Sequence, residues 1–171
     1  MLSRLKQVFL MTIPILLPLL GGLLFLSLSP NYETPQERSL LLQEQQPGIE
    51  IISEQTVGRY IITEFRSQEV VGFGVFQKTL GRWKFDHMTV SQENLIYDSF
   101  YMNDTLYFLV GTRLDNAESV TIQFINGLNG LDAGLQTYPL EGETLLILPA
   151  AKDTDEIQFV SFLDTSGNLL N

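Results

Sequence analysis

The 171-residue sequence has no cysteine. Within it, disulfides, thiolate nucleophiles and cysteine-ligated zinc are excluded, as is the lipidated cysteine of a bacterial lipoprotein. Small secreted eukaryotic domains often supplement a limited core with disulfides, so their absence leans toward a bacterial surface protein. Histidine occurs once, at His87, and tryptophan once, at Trp83. Any imidazole mechanism must therefore use His87, and zinc held by several His or Cys ligands of one chain is impossible. Basic residues are few, 10 against 20 acidic ones. No G-x-S-x-G occurs, so a nucleophile elbow is missing as well.

Charge is also missing locally. No Asp, Glu, Lys or Arg lies between Gln7 and Tyr32, and residues 8–28 read VFLMTIPILLPLLGGLLFLSL. At ~1.5 Å per helical residue this run matches a hydrocarbon core of ~30 Å. A cleaved signal peptide usually has a shorter apolar core, and cutting after Ser29 would leave Pro30 at the new terminus. An uncleaved signal-anchor is the expectation, kinked at Pro14 and Pro18, which membrane helices tolerate. Arg4 and Lys6 precede the run with no acid beside them, which places the N-terminus in the cytoplasm and residues 31–171 outside. Residues 31–171 hold 8 basic and 20 acidic side chains, a formal −12. Such a charge repels phosphates of nucleic acids and anionic lipids, so no nucleic-acid partner is expected.

The length suits one ordinary domain. The organisation reads as a head and anchor over 1–30, a juxtamembrane helix or linker over 31–48, and a β-rich domain over 49–171. Thr34-Pro35-Gln36-Glu37 has the form of a capping box with proline at the first helical position. The helix it starts should stop before Pro47-Gly48 and serve as a stalk or a small packing helix. From Ile49 the pattern turns to period two, with β-branched and aromatic enrichment. Strands are expected near 49–55, 58–66, 69–78, 82–90, 94–101, 105–113, 118–126, 143–149 and 156–163. Val57-Gly58, Leu80-Gly81, Asn103-Asp104, Asp115-Asn116, Glu141-Gly142 and 164–167 carry turn chemistry. Residues 126–139 are either an excursion loop or a poorly marked strand. The fold class is all-β, an antiparallel β-sandwich or small barrel, with residues 49–101 and 105–163 as its two halves.

The run Gly72-Phe73-Gly74-Val75-Phe76-Gln77-Lys78, followed by Gly81-Arg82-Trp83-Lys84-Phe85, resembles a hairpin of small, uncharacterised, single-pass membrane-anchored extracytoplasmic proteins of Gram-positive bacteria. The closing Phe162-Leu163-Asp164-Thr165-Ser166-Gly167-Asn168-Leu169-Leu170 is similar to their last hairpin. The resemblance implies a location at the cell membrane and a β-rich fold. It implies no activity and no functional residue.

The residues that could carry chemistry each have a plainer reading. His87, on the strand 82–90, should share a face with Trp83, Phe85 and Thr89 and be a partly buried structural side chain. Asp86 should then point the other way. Asp153-Thr154-Asp155-Glu156 offers alternate carboxylates but lacks the glycine and distal glutamate of a helix–loop–helix calcium site, and reads as a solvated turn. Asn103-Asp104-Thr105 matches a glycosylation sequon, which chance also supplies. Most aromatics alternate with polar residues and belong to a core. Tyr97 and Tyr101, flanked by polar residues, are the candidates for an exposed binding edge.

The expected function is a membrane-anchored extracytoplasmic binding or accessory module docking a neighbouring membrane or cell-envelope component. The expected partners are the membrane, through one helix, and a protein at the cell surface. No enzymatic activity, catalytic residue, cofactor or metal is expected. The alternative is a carboxylate-dependent cell-envelope hydrolase, which would need two carboxyls across a cleft.

Overall fold

The computed structural model describes residues 21–22, 30–102, 104–126, 131–150 and 156–170. The expected anchor lies outside these residues except for Gly21-Gly22, which are helical. Among the described residues no helix is long and apolar enough to cross a membrane. The chain divides into two units, Met1–Asn31 and Tyr32–Asn171.

The second unit opens with α1 (Pro35–Gln45). Its start is the capping box: the Glu37 amide donates to Thr34 Oγ1 at 3.2 Å, and the Thr34 amide to Glu37 Oε2 at 2.8 Å. The strands follow as β1 (Glu50–Val57), β2 (Tyr60–Arg66), β3 (Val71–Thr79), β4 (Arg82–Ser91), β5 (Leu95–Met102), β6 (Thr105–Thr112), β7 (Ser119–Asn126), β8 (Leu131–Pro139), β9 (Leu145–Pro149), β10 (Glu156–Leu163) and β11 (Leu169–Leu170). All pairings are antiparallel. They form three sheets: β1-β2-β3-β4, β5-β6-β9 and β11-β10-β7-β8.

Three apolar layers stack these elements. Leu42 of α1 meets Ile61, Phe65 and Phe76 on one face of the first sheet. The other face sends Ile62, Phe73 and Val75 against Ile96, Phe100 and Leu109 of the second sheet. The far face of the second sheet sends Phe108 and Val110 against Val120, Ile122 and Phe162 of the third. The architecture is predominantly β and sandwich-like, with a helix on one outer face. The halves expected from the sequence are redrawn: β6 pairs with β5 on one side and β9 on the other, giving a middle sheet that is apolar on both faces.

Gly72 and Gly74 explain how closely the helix face packs. A Cβ on Gly72 would lie 2.4 Å from the Phe65 ring and 2.6 Å from the Thr89 carbonyl oxygen, and one on Gly74 would lie 2.5 Å from Leu42. Strand β8, left open by the sequence, is present. Its weak marking has a cause: Gly134, at φ +103, and a bulge against β7 break the alternation.

Candidate functional site

Polar groups buried inside a β stack must find partners or cost several kcal/mol, roughly. Arg38, only 4 % exposed, spends its guanidinium that way. Nε and Nη2 donate to the two Glu54 carboxylate oxygens at 2.8 and 2.9 Å, and Nη1 donates to the Tyr32 and Glu33 carbonyls. Thr63 Oγ1 donates to Glu54 as well. The pair clamps α1 onto β1. Although burial pushes Glu54 up, hydrogen bonds from Arg38 and Thr63 outweigh it and hold the carboxyl below its usual range.

Glu64, on β2, is more deeply buried than Glu54, at 3 % exposed. Ser53 Oγ donates to it at 2.8 Å, and the Thr144 hydroxyl donates from the approach to β9. Burial raises its pKa, and the two hydroxyls only partly oppose this. It lines none of the cavities described below and ties the first sheet to the second.

The His87 environment departs from the sequence reading. Val75 pairs with His87 while Phe76 pairs with Phe85, so Asp86 is the extra residue of a β-bulge. The bulge breaks the alternation. Trp83, Phe85 and Met88 pack toward α1, whereas His87 and Thr89 lie opposite Val75 and Phe73, on the face toward β5. His87 therefore does not share a face with Trp83 and Phe85, and Asp86 is its hydrogen-bonding neighbour. His87 Nδ1 lies 3.0 Å from Asp86 Oδ2, and Nε2 lies 3.2 Å from Asp98 Oδ2 on β5. Thr89 Oγ1 and the Ser99 amide also donate to Asp98. Two carboxylates facing two ring nitrogens favour the imidazolium. The hydrogen bond to Asp98 is the largest cause of the raised pKa of His87, partly opposed by burial. Asp98 is pushed up by burial, but His87 and Thr89 bring it below its usual value.

Beyond Asp98 the molecule opens. Strand β5 ends the second sheet, and β10 lies next to the end of the third, because β11 pairs only with Phe162 and Leu163. Among the described residues no strand covers the outer edge of β10 from Glu156 to Ser161. A cavity of about 690 Å³ runs from the β4–β5 turn past Leu95 to Phe159–Phe162 and Leu169. A smaller one of about 220 Å³ continues between Tyr97–Ser99 of β5 and Glu156-Ile157 of β10. Together they make a groove between two strand edges.

Tyr97 lines this groove and is 51 % exposed. Phe159, 50 % exposed, lines the larger cavity on the β10 side, where a bulge at Gln158 turns Gln158 and Phe159 outward together. That bulge is invisible in the alternation, so the sequence did not single out Phe159. Tyr101, also on β5, is 64 % exposed and lines neither cavity. Glu93 and Glu156 stand in the groove walls. The cation there, Arg113, is held by Asn94 Oδ1 and by the carbonyls of Gln68 and Gln92. Among the described residues no group of three or more His, Asp or Glu side chains is placed to hold a metal ion. Of the acidic run proposed as a turn, residues 153–155 lie outside the described residues.

Set against protein-family models, curated proteins and solved structures, the chain matches none of them.

Proposed function

We propose that the protein is a membrane-anchored, extracytoplasmic binding module that takes up an extended segment of a neighbouring membrane or envelope protein in the groove between β5 and β10. One observation carries the reading: the outer edge of β10 offers backbone donors and acceptors beside an apolar groove with aromatics on both sides. Exposed edges are sites where another chain adds as a strand, with side-chain pockets giving specificity. The bulge at Gln158 blunts part of the edge and leaves Phe159–Ser161 as the regular stretch, alongside the larger cavity. A three-residue edge supplies few backbone bonds, so Tyr97, Phe159 and Leu169 must contribute much of the recognition.

Charge supports a basic partner. Glu93 and Glu156 face the groove, Arg113 is already engaged, and residues 31–171 sum to −12. Association with a cationic segment should slow as salt screens it. The anchor and the orientation rest on residues 8–28 and on Arg4 and Lys6. The hydrolase alternative draws less support, since Glu64 is sealed by hydroxyls away from the groove and Asp98 is committed to His87.

The test is photocrosslinking in cells from the full-length chain, with the crosslinker at Tyr97 or, as control, at Glu44 on α1. A discrete adduct from position 97, lost on Phe159→Lys and absent from position 44, is expected. Equal adducts from both positions would remove the groove as the docking site.

A further inference from the structure

The acidity of the domain is not evenly spread. Residues 55–63 and 70–85 contain four cations, Arg59, Lys78, Arg82 and Lys84, and no acid. The fold gathers them at one end of the first sheet. The Lys78 amide donates to the Arg59 carbonyl at 2.7 Å, joining the β1–β2 turn to the end of β3. Lys78 pairs across the strands with Trp83, Thr79 with Arg82, and Gln77 with Lys84. The Lys78 ammonium sits 5.4 Å from the Trp83 ring centre. Desolvation, then the neighbouring Arg82, holds the Lys84 ammonium below its usual range. At the tip of this hairpin Leu80 is 75 % exposed, held out by a two-residue turn with positive φ at Leu80 and Gly81. The adjoining β5–β6 turn, whose Met102 packs on Gly58, brings one acid, Asp104.

The chain enters the domain at this same end: the Tyr32 amide donates to the Trp83 carbonyl at 3.0 Å. Tyr32 is the fourth residue after Leu28, where the apolar run ends. Four residues reach at most ~14 Å. If residues 8–28 span the bilayer, Tyr32 stays within that reach of the hydrocarbon edge, which lets the tips of β1–β2 and β3–β4 touch the headgroups. Cations flanked by Trp and an exposed Leu are the composition that suits such an interface.

We infer that the tips of the β1–β2 and β3–β4 hairpins, with Arg59, Lys78, Arg82, Lys84, Leu80 and Trp83, form a surface that rests on the anionic phospholipid headgroups of the membrane. The inference rests on the membrane-anchored reading and adds an orientation to it. The −12 total repels such lipids, and the local grouping reverses that sign where the chain meets the bilayer. Held this way, the domain turns the opposite end, with Leu169 and the larger cavity, away from the lipid.

The absence of native cysteine makes the test clean. Full-length protein carrying Leu80→Cys or Leu169→Cys is labelled with one fluorophore and reconstituted into phosphatidylcholine vesicles, with or without phosphatidylglycerol. A high-salt wash reports first whether the chain is anchored. In anchored protein, headgroup-bound quencher should quench position 80 several-fold more than position 169. Phosphatidylglycerol should strengthen this, and Arg59→Gln with Lys78→Gln, checked for folding by circular dichroism, should weaken it. Equal quenching at the two positions, or indifference to phosphatidylglycerol, overturns the surface while the anchor stands. If the chain washes off, the anchor reading falls and flotation at low salt decides. Binding to phosphatidylglycerol vesicles that the double variant abolishes supports the surface, and no binding overturns it.

Discussion

The first and third sheets flank the same middle sheet yet are built differently. The first carries α1 on its outer face, so β2 and most of β3 are buried on both sides. Among the described residues the third has no such cover: Thr121 and Thr137 hydrogen-bond to each other there, beside Gln123. Charge divides in the same direction. Residues 31–84 hold six basic and seven acidic side chains, residues 85–171 two and 13. A strand buried on both faces loses its alternation, and a layer covered on both sides needs internal partners for any polar group it keeps. The covered half therefore has a paired ionic clamp and glycine-mediated close packing, and the open half has exposed edges and surplus charge.

The sharpest break of this contrast is at the clamp. Arg38→Ala leaves Glu54 part-buried without its partner and should cost ~3–5 kcal/mol in denaturant unfolding. Replacing both partners, Arg38→Met with Glu54→Leu, should restore most of it, because two apolar groups leave no charge stranded. A cost that persists in the double variant would mean that the contacts of Arg38 with the Tyr32 and Glu33 carbonyls hold the helix.

Next comes packing. Gly72→Ala puts a methyl into the Phe65 ring and the Thr89 carbonyl and should cost ~1–3 kcal/mol, whereas Gln123→Ala on the open sheet should stay within about 0.5 kcal/mol. Comparable losses at the two positions would deny the difference between the sheets.

Both titrating groups have raised folded pKa values, so each contributes stability that is lost as pH rises, Glu64 from the carboxylate range and His87 from the imidazole range. Glu64 has a folded pKa above its ordinary 4.5, so the native state binds the proton more readily than the unfolded chain. Its contribution is fully present below that ordinary value and is lost as pH rises through the folded one. Glu64→Gln, which keeps partners for Ser53 and Thr144, should flatten this limb and gain on the wild type as pH approaches neutrality. Urea midpoints followed from acid to neutral pH decide it, and parallel profiles would contradict the buried assignment.

The smallest effect belongs to His87, which is partly exposed. Its folded pKa is raised above 6.5, so its contribution is complete below that value and is lost as pH rises through the folded pKa. The single imidazole resonance should titrate above 6.5 by NMR, and Asp98→Asn should lower the midpoint. An unchanged midpoint in that variant would mean that the cluster does not form in solution.

Much of this molecule was legible before its structure. The capping box at Thr34–Glu37 is local chemistry, and the Leu80-Gly81 and Glu141-Gly142 turns follow from the glycine, which takes positive φ without cost. The exposure of Tyr97 and Tyr101 followed from their polar neighbours on β5. The bulges were not legible: the extra residues Asp86 and Gln158 become visible only when a partner strand sets the register, and each re-aims the side chains after it. A β-rich chain, its turns, its helix start and its total charge were readable from the residues, because each depends on neighbours along the chain or on composition alone. Long-range packing alone put β5 in one sheet with β6 and β9, brought His87 to Asp98, turned Phe159 out into a cavity beside β5, and gathered four cations at one end of an acidic domain. Each of these joins residues distant in sequence, and packing of sheet against sheet supplies the physical reason for their meeting.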